Sequence, residues 1–418
     1  MLRQLVAPVA ALILCARAGS RSRRILATLI ACVLTYPSDV PNLALAATPA
    51  SASVSVPLPA PVPAAIPAPA LGSTPPHAPV PVTLPAPASA PVPPPAPVLA
   101  AAPDAGFVRT SGPYPQRADV RSFIAEMTDR HGFEADELET IFARAQRNDT
   151  VLRLITPAPR GARPTWQAYR ARFLDPVRIR DGVTFWNEHE GWLAFASALY
   201  GVPQEIIVAI LGVETMYGRI TGNFRVIDAL ATLAFDYPRR ADYFRGELEQ
   251  FLLYVRAEGV DAFSLTGSYA GAIGLPQFMP GSIRRYAVDL DGDGHIDLRN
   301  NPADAIGSIA AFLAAHGWRE GEPIVFRVRH DGEDRLGPLI EAGIEPRFTI
   351  GELAGYGVRS PDPVPADLPL ALIDLPEAND TASYALGARN FYVITRYNRS
   401  SFYAMAVYEL ARALAAAR

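Results

Sequence analysis

The chain has 418 residues, enough for two or three domains, with 50% hydrophobic content and a formal net charge of −4. All 38 basic residues are arginine, and the mildly acidic balance argues against nucleic acid as a partner, which would call for a basic excess. The absence of lysine also removes any phosphate-cradling GxxxxGKS/T loop, and no Gly-x-Ser-x-Gly elbow or zinc-spaced histidine pair occurs.

In chain order, residues 1–47 read as a targeting segment. Arg21, Arg23 and Arg24 precede an apolar stretch at 25–34 that is too short to span a bilayer comfortably. Two exits are compatible with it. Cleavage after Ala44-Leu45-Ala46 would release a soluble protein, whereas Leu29-Ile30-Ala31-Cys32 has the form of a bacterial lipobox and would leave a lipidated Cys32. Both cysteines, Cys15 and Cys32, fall in this leader, so the expected mature protein has no intramolecular disulfide and no thiolate chemistry. Residues 48–105 are almost entirely Pro, Ala, Val and Ser. Such a segment predicts a disordered, extended spacer of about 3.1 Å per residue.

The folded catalytic part is expected over 106–418. Apolar periodicity predicts helices over 119–148 (with a break at His131-Gly132), 166–173, 183–200, 204–213, 226–235, 239–258, 304–316 and 401–417. Strand signals are few: 324–328, 370–375 and 391–395. The fold class is therefore mainly α, with a small mixed C-terminal part.

Four segments carry chemistry. The apolar run that starts at Ile206 delivers one carboxylate, Glu214, before a polar end at Thr215-Met216-Tyr217-Gly218. A glutamate desolvated there holds its proton to higher pH, as a general acid must. The glycine-rich stretch from Ser268 to Ser282 offers Ser268, Tyr269 and Gln277 to the hydroxyl and acetamido groups of a sugar. Asp289, Asp291 and Asp293, with Gly294, the His295 carbonyl and Asp297, follow the alternation of an EF-hand-like calcium loop over 289–304. Asn300 stands where the bidentate Glu belongs, and Asp304, a little downstream, is expected to supply the last carboxylate. The cluster around Tyr397, Asn398 and Tyr403 is dense in aromatic and amide groups suited to sugar contacts.

Together, Gly212-Val213-Glu214-Thr215, Phe235-Asp236-Tyr237-Pro238-Arg239-Arg240, the Ser268 to Ser282 stretch, the Asp-rich loop and the segment around Tyr397 resemble the lytic murein transglycosylase B family over nearly all of 108–418. The resemblance implies a goose-lysozyme-like core at about 201–320 and cleavage of the MurNAc-GlcNAc β-1,4 bond of peptidoglycan with formation of 1,6-anhydro-MurNAc. It implies Glu214 as the single acid/base, and Ser268, Gln277, Tyr397, Asn398 and Tyr403 as cleft residues. Arg239, Arg240 and Tyr243 match the segment near the stem peptide. Asp289, Asp291, Asp293, His295 and Asp304 match a structural Ca2+ or Na+ site, with no cofactor for catalysis. A periplasmic location follows, with Cys32 as an outer-membrane anchor and cell-wall synthesis complexes as protein partners. Similar proteins carry Gly-Gln-Phe-Met-Pro-Ser-Ser where this chain has Pro276-Gln277-Phe278-Met279-Pro280-Gly281-Ser282.

Two other readings compete. A water-using muramidase needs a second carboxylate, for which Asp228 and Asp236 are the candidates. A non-catalytic wall-binding protein would keep the cleft and grip glycan without cutting it.

Overall fold

The apolar run that ends at Glu214 forms the central helix. The computed structural model describes residues 113–156, 165–378 and 381–418; the expected leader, the linker and both cysteines lie outside them. Four helices, α1 Ala118–His131, α2 Ala135–Arg144, α3 Asp149–Ile155 and α4 Trp166–Arg170, lead to α5 Pro176–Glu188, α6 Glu190–Tyr200 and α7 Gln204–Thr215. After β1 Phe224–Arg225 come α8 Val226–Asp236, α9 Ala241–Glu258, β2 Thr266–Gly267, α10 Pro280–Tyr286 and α11 Pro302–Ala315. The C-terminal portion holds β3 Val325–Arg327, β4 Arg329–His330, α12 Gly337–Glu341, α13 Ile350–Gly355, β5 Val358–Arg359, β6 Ala371–Pro376 and β7 Ala382–Gly387, then α14 Arg389–Tyr397 and α15 Ser401–Ala417. The fold is mainly α, as the periodicity predicts.

Helix α7 is apolar on every side from Ile206 to Val213, and all of those residues are buried. A helix of that kind must be surrounded, and α5, α6, α11 and α15 pack around it. Truncating one of its central side chains, such as Ile210→Ala, would cost about 2–5 kcal/mol. The helix ends abruptly because Met216 and Tyr217 adopt left-handed backbone conformations, at φ 49° and 60°. Such strain costs about 1–3 kcal/mol per residue. Offsetting contacts hold it in place. The Met216 and Tyr217 amides donate back to Gly212 and Leu211, and the Tyr217 hydroxyl donates to the Arg178 carbonyl at 3.0 Å. The Tyr217 phenol passes between two helices at Gly182 and Gly212, where an added Cβ would stand 2.2 and 2.5 Å from its oxygen. Both crossings therefore require glycine.

The segment 268–279 has little regular structure. Ile273 and Phe278 exchange backbone hydrogen bonds of 2.8 and 3.1 Å, closing a tight loop that places Gln277 at φ 51°. Pro280 then opens α10 at a position where its missing N–H costs nothing. Further on, β3, β7 and β6 form an antiparallel sheet in that order, with Leu386 of β7 opposite both Phe326 and Leu372. These three side chains join Leu336, Leu339 and Leu353 in a second, smaller core.

Several expectations need correction. Residues 391–395 form part of helix α14 and not a strand. The β-branched and aromatic run gives a strand signal, but Asn390, Phe391 and Ile394 share a helical face and are buried, and packing overrides propensity. The single helix expected over 183–200 is two helices, divided at His189 (φ −117°, ψ 22°) next to Gly191, a poor helix-interior residue. Residues 238–240 form a 3-10 turn ahead of α9. Helices α3, α10, α12 and α13 and strands β1, β2, β4, β5 and β7 lie outside the expected elements. Of these, α3 had a readable signal, since Asn148 caps it by accepting from the amides of Thr150 and Val151.

Candidate active site: a half-buried glutamate in an arginine-lined cleft

Glu214 sits in the last turn of α7, where the swing through Met216 brings its carboxyl out of the core onto the wall of a cavity of about 700 Å3. Its Oε1 accepts the Tyr403 hydroxyl at 2.7 Å. Burial, opposed by that hydrogen bond alone, pushes its pKa up to about 8. Tyr403 is fully buried near the start of α15, whose first turn is capped by the Ser400 hydroxyl oxygen accepting from the Tyr403 amide at 3.3 Å. Its ring stacks on Tyr397 at 6.3 Å and 13°, and Tyr397 donates to the Pro276 carbonyl at 2.5 Å. Burial first, and the Glu214 charge second, hold both phenols well above their ordinary range, so both remain donors.

The glycine-rich segment contributes to the same cavity. Ser268 is buried with its hydroxyl oxygen accepting from the Ala272 amide at 3.0 Å. The Gln277 amide nitrogen donates to the Thr221 and Gly274 carbonyls at 3.1 and 2.8 Å, which fixes the side chain against the cavity. Thr215 ties this segment to α7 by donating to the Leu275 carbonyl at 2.9 Å. Arg240 lies over the half-exposed Tyr243 ring at 4.3 Å. Near them Glu247 accepts from the Gly281 amide at 2.8 Å and is pushed up chiefly by burial.

Glu214, Ser268, Gln277, Arg240, Tyr243, Tyr397 and Asn398 thus line one cavity, with Tyr403 bonded to the acid. Two expected residues do not join them. Tyr269 is fully buried in the core: it lies in a turn closed by the Gly271 amide donating to the Ser268 carbonyl at 3.0 Å, and Ser268, not Tyr269, lines the cavity. Arg239 is exposed and does not line the cavity.

In the Asp-rich loop, Asp289, Asp291 and Asp293 come together, with carboxylate oxygens within 4.8 Å of one another. A hard cation with oxygen ligands at about 2.3–2.6 Å fits such a group. The His295 amide donates to Asp293 at 2.8 Å, which fixes the backbone whose carbonyl was expected to ligate. Asp304 stands apart from the three. It is fully buried, and its two oxygens accept from the amides of Leu290 and Asp297 at 3.0 and 2.8 Å, bracing the loop.

A profile of the Transglycosylase SLT domain matches residues 115–412. The membrane-bound lytic murein transglycosylase B of Escherichia coli (strain K12) is 43% identical over 324 residues, covering 76% of this chain and 88% of that protein. The chain belongs to the SLT-domain lytic transglycosylases. Among solved structures, the soluble lytic transglycosylase SltB1 of Pseudomonas aeruginosa is 48% identical with a TM-score of 0.66, covering 71% of this chain and 98% of that one. The Escherichia coli lytic transglycosylase Slt35 in complex with calcium is 43% identical with a TM-score of 0.65, covering 74% and 96%.

In this transglycosylase the candidates for a second carboxylate are not where sequence reasoning looked. Asp228 accepts from the Gln146 amide and pairs with Arg225 at 2.6 Å, and Asp236 pairs with Arg117 at 2.7 Å; neither lines the cavity. Glu247 does line it. Sequence reasoning also missed Arg178, Arg285, His316 and Arg396 at the cavity. The available signal was weak: a buried charge on an amphipathic helix, such as Glu247 in α9, interrupts an apolar stripe.

Proposed function

We propose that this transglycosylase cleaves the MurNAc-GlcNAc β-1,4 bond of peptidoglycan with Glu214 acting first as acid and then as base. The carrying observation is the Glu214 carboxyl, desolvated, bonded by one phenol and pushed up to about 8, so that it is neutral at pH 7. With Oε1 engaged by Tyr403, Oε2 carries the proton to the leaving oxygen as the C1–O bond breaks. The sugar's own 2-acetamido oxygen supports the charge developing at C1. The resulting carboxylate, still accepting from Tyr403, takes the proton of the C6 hydroxyl as that oxygen bonds to C1. Ring closure consumes no water and leaves 1,6-anhydro-MurNAc. Ser268, Gln277 and Asn398 would meet the strand beside the acid, with Arg240 and Tyr243 toward the stem peptide.

The test is mass spectrometry of the products that residues 106–418 release from purified peptidoglycan, beside Glu214→Gln. Products one water lighter than those of a lysozyme digest, absent with the variant, are expected. Hydrated reducing ends would move the reading to a muramidase with Glu247 as the second carboxylate. Bound glycan without products from either protein would favour a wall-binding role.

We also propose that Asp289, Asp291 and Asp293 hold a structural Ca2+, with Na+ as the alternative. The calcium complex of Slt35 and the three-carboxylate group support this. Metal analysis of the purified protein distinguishes the two ions. The leader and linker would place the enzyme in the periplasm, held by Cys32 at the outer membrane; the description of the Escherichia coli relative as membrane-bound supports a cell-envelope location. A Cys32→Ser variant that still fractionates with membranes would remove the anchor from this account.

A further inference from the structure

Exposed apolar side chains gather on one helix away from the acid. Six large hydrophobic residues are exposed among the described residues, and three of them, Trp192, Phe195 and Leu199, lie on α6 at 38, 50 and 50% exposure. Their i, i+3, i+7 spacing puts them on one face of that helix as a ridge. Gly191, Ala194 and Ala198 are exposed too and repeat the spacing one residue earlier, so a low furrow runs beside the ridge. No charged residue occurs from Gly191 to Gln204. On the other face Leu193 and Ala196 are buried where α6 packs on α7 and α11. Single exposed apolar residues are ordinary, but a contiguous apolar patch marks a surface that another body covers.

The chemistry of the face selects its occupant. A glycan needs hydrogen-bonding groups as well as rings, and the exposed positions from Gly191 to Leu199 carry no polar side chain. A helix that lies on a lipid surface carries Lys or Arg on its flank. The charged residues that border this helix in sequence are Glu188, Glu190 and Glu205, and the nearby Arg418 is engaged by Glu190 at 2.5 Å. A second copy of the same face has neither mismatch. With two α6 helices antiparallel about a two-fold axis near Phe195, Trp192 meets the second copy's Leu199 and Phe195 meets its own counterpart. Ala194 of each copy then lies beside Ala198 of the other, and side chains that small let the two backbones approach closely. The three large side chains expose about 300 Å2 per copy. With its rim the pair buries on the order of 1,000 Å2, the low end of specific interfaces, which suits a reversible dimer rather than a permanent one. Glu214 lies near the far end of α7 from α6, about 15 Å along that helix, and no α6 residue lines its cavity, so the pairing covers neither acid.

We propose that the exposed face of α6 is a self-association surface through which two copies of this chain pair reversibly, with Trp192, Phe195 and Leu199 at its centre. Each dimer carries two open cavities, so two acids act from one particle. The pairing is independent of which strand those cavities take.

The chain from Thr48 onward, linker included, contains no cysteine, which suits both a mass measurement and a cross-link. Sedimentation equilibrium should show monomer and dimer in exchange, with a Kd of about 10–100 μM. Phe195→Arg sets two like charges at the axis and should weaken the dimer about tenfold or more, with Trp192→Ala close behind. Val260→Arg, at an exposed apolar residue outside α6, should leave the dimer unchanged. Retained turnover in Phe195→Arg shows that lost pairing is not lost fold. Mixing Ala194→Cys with Ala198→Cys protein under oxidation should give the mixed disulfide in preference to either symmetric one. An excess of symmetric disulfides overturns the antiparallel arrangement. A monomer up to about 0.5 mM, or a dimer that both Phe195→Arg and Trp192→Ala leave intact, overturns the surface. So does a monomer that binds phosphatidylethanolamine vesicles through the same residues, which would give the face to a lipid surface.

Discussion

The catalytic cleft and the Asp-rich loop both depend on carboxylates and treat them in opposite ways. In the cleft one carboxyl stands without a cation, and burial carries its pKa up to about 8. In the loop three exposed carboxylates lie within 4.8 Å of one another and are bonded by the loop's own amides, those of Gly292 and Gly294 to Asp289 and that of His295 to Asp293. Whether such a group takes a proton or a metal ion is decided by its burial and its neighbours.

The sharpest way to break the contrast is Glu214→Gln. Its turnover should fall about a thousandfold or more, since the general acid and base are both lost. Its stability should respond to pH in a defined direction. The folded-state pKa of Glu214, about 8, lies above the ordinary 4.5, so its contribution is fully present below 4.5 and lost as pH rises through 8. Gln has no such loss. The variant's Tm should therefore gain a few degrees on the parent between pH 5 and 8.5 by calorimetry, and a constant difference would mean the carboxyl is not desolvated. Tyr403→Phe comes next. It removes the hydrogen bond that lowers the Glu214 pKa, so the alkaline limb of kcat/KM should move upward from about 8, with kcat falling about tenfold. An unmoved limb would detach Tyr403 from the acid. The smallest effect belongs to the loop. Calcium at a hundredfold excess over its Kd should stabilise the protein by about 2.7 kcal/mol, seen as a Tm rise of several degrees. Asp289→Asn with Asp293→Asn should abolish that rise and change turnover less than twofold.

Local pattern carried much of this. The apolar run through Gly212 marked the central helix, and the alternation from Asp289 to Asp293 marked the three grouped carboxylates. What failed was non-local. Tyr269 and Ser268 are adjacent and offer similar hydroxyl chemistry, but only the fold assigns one to the core and the other to the cavity. Asp304 has the right residue type for a ligand, but it is buried under the loop, where backbone amides occupy both oxygens. Asp228 and Asp236 lie close to Glu214 in sequence and pair elsewhere, whereas Glu247 reaches the cavity from a helix whose stripe reads as ordinary core. The helix at 389–397 was misread for the same reason, because its Asn390 amide anchors it to the Arg319 and Glu322 carbonyls, 71 and 68 residues away.

The bond between Tyr403 and Glu214 joins residues 189 positions apart. The Glu214 carboxyl therefore gains its partner only when a distant helix docks, and α7 stays uncovered on one flank until α15 folds against it. Contacts of such separation form late and slowly. A chain cut before residue 401 would keep Glu214 but lose both the phenol bonded to it and the helix that covers one flank of α7.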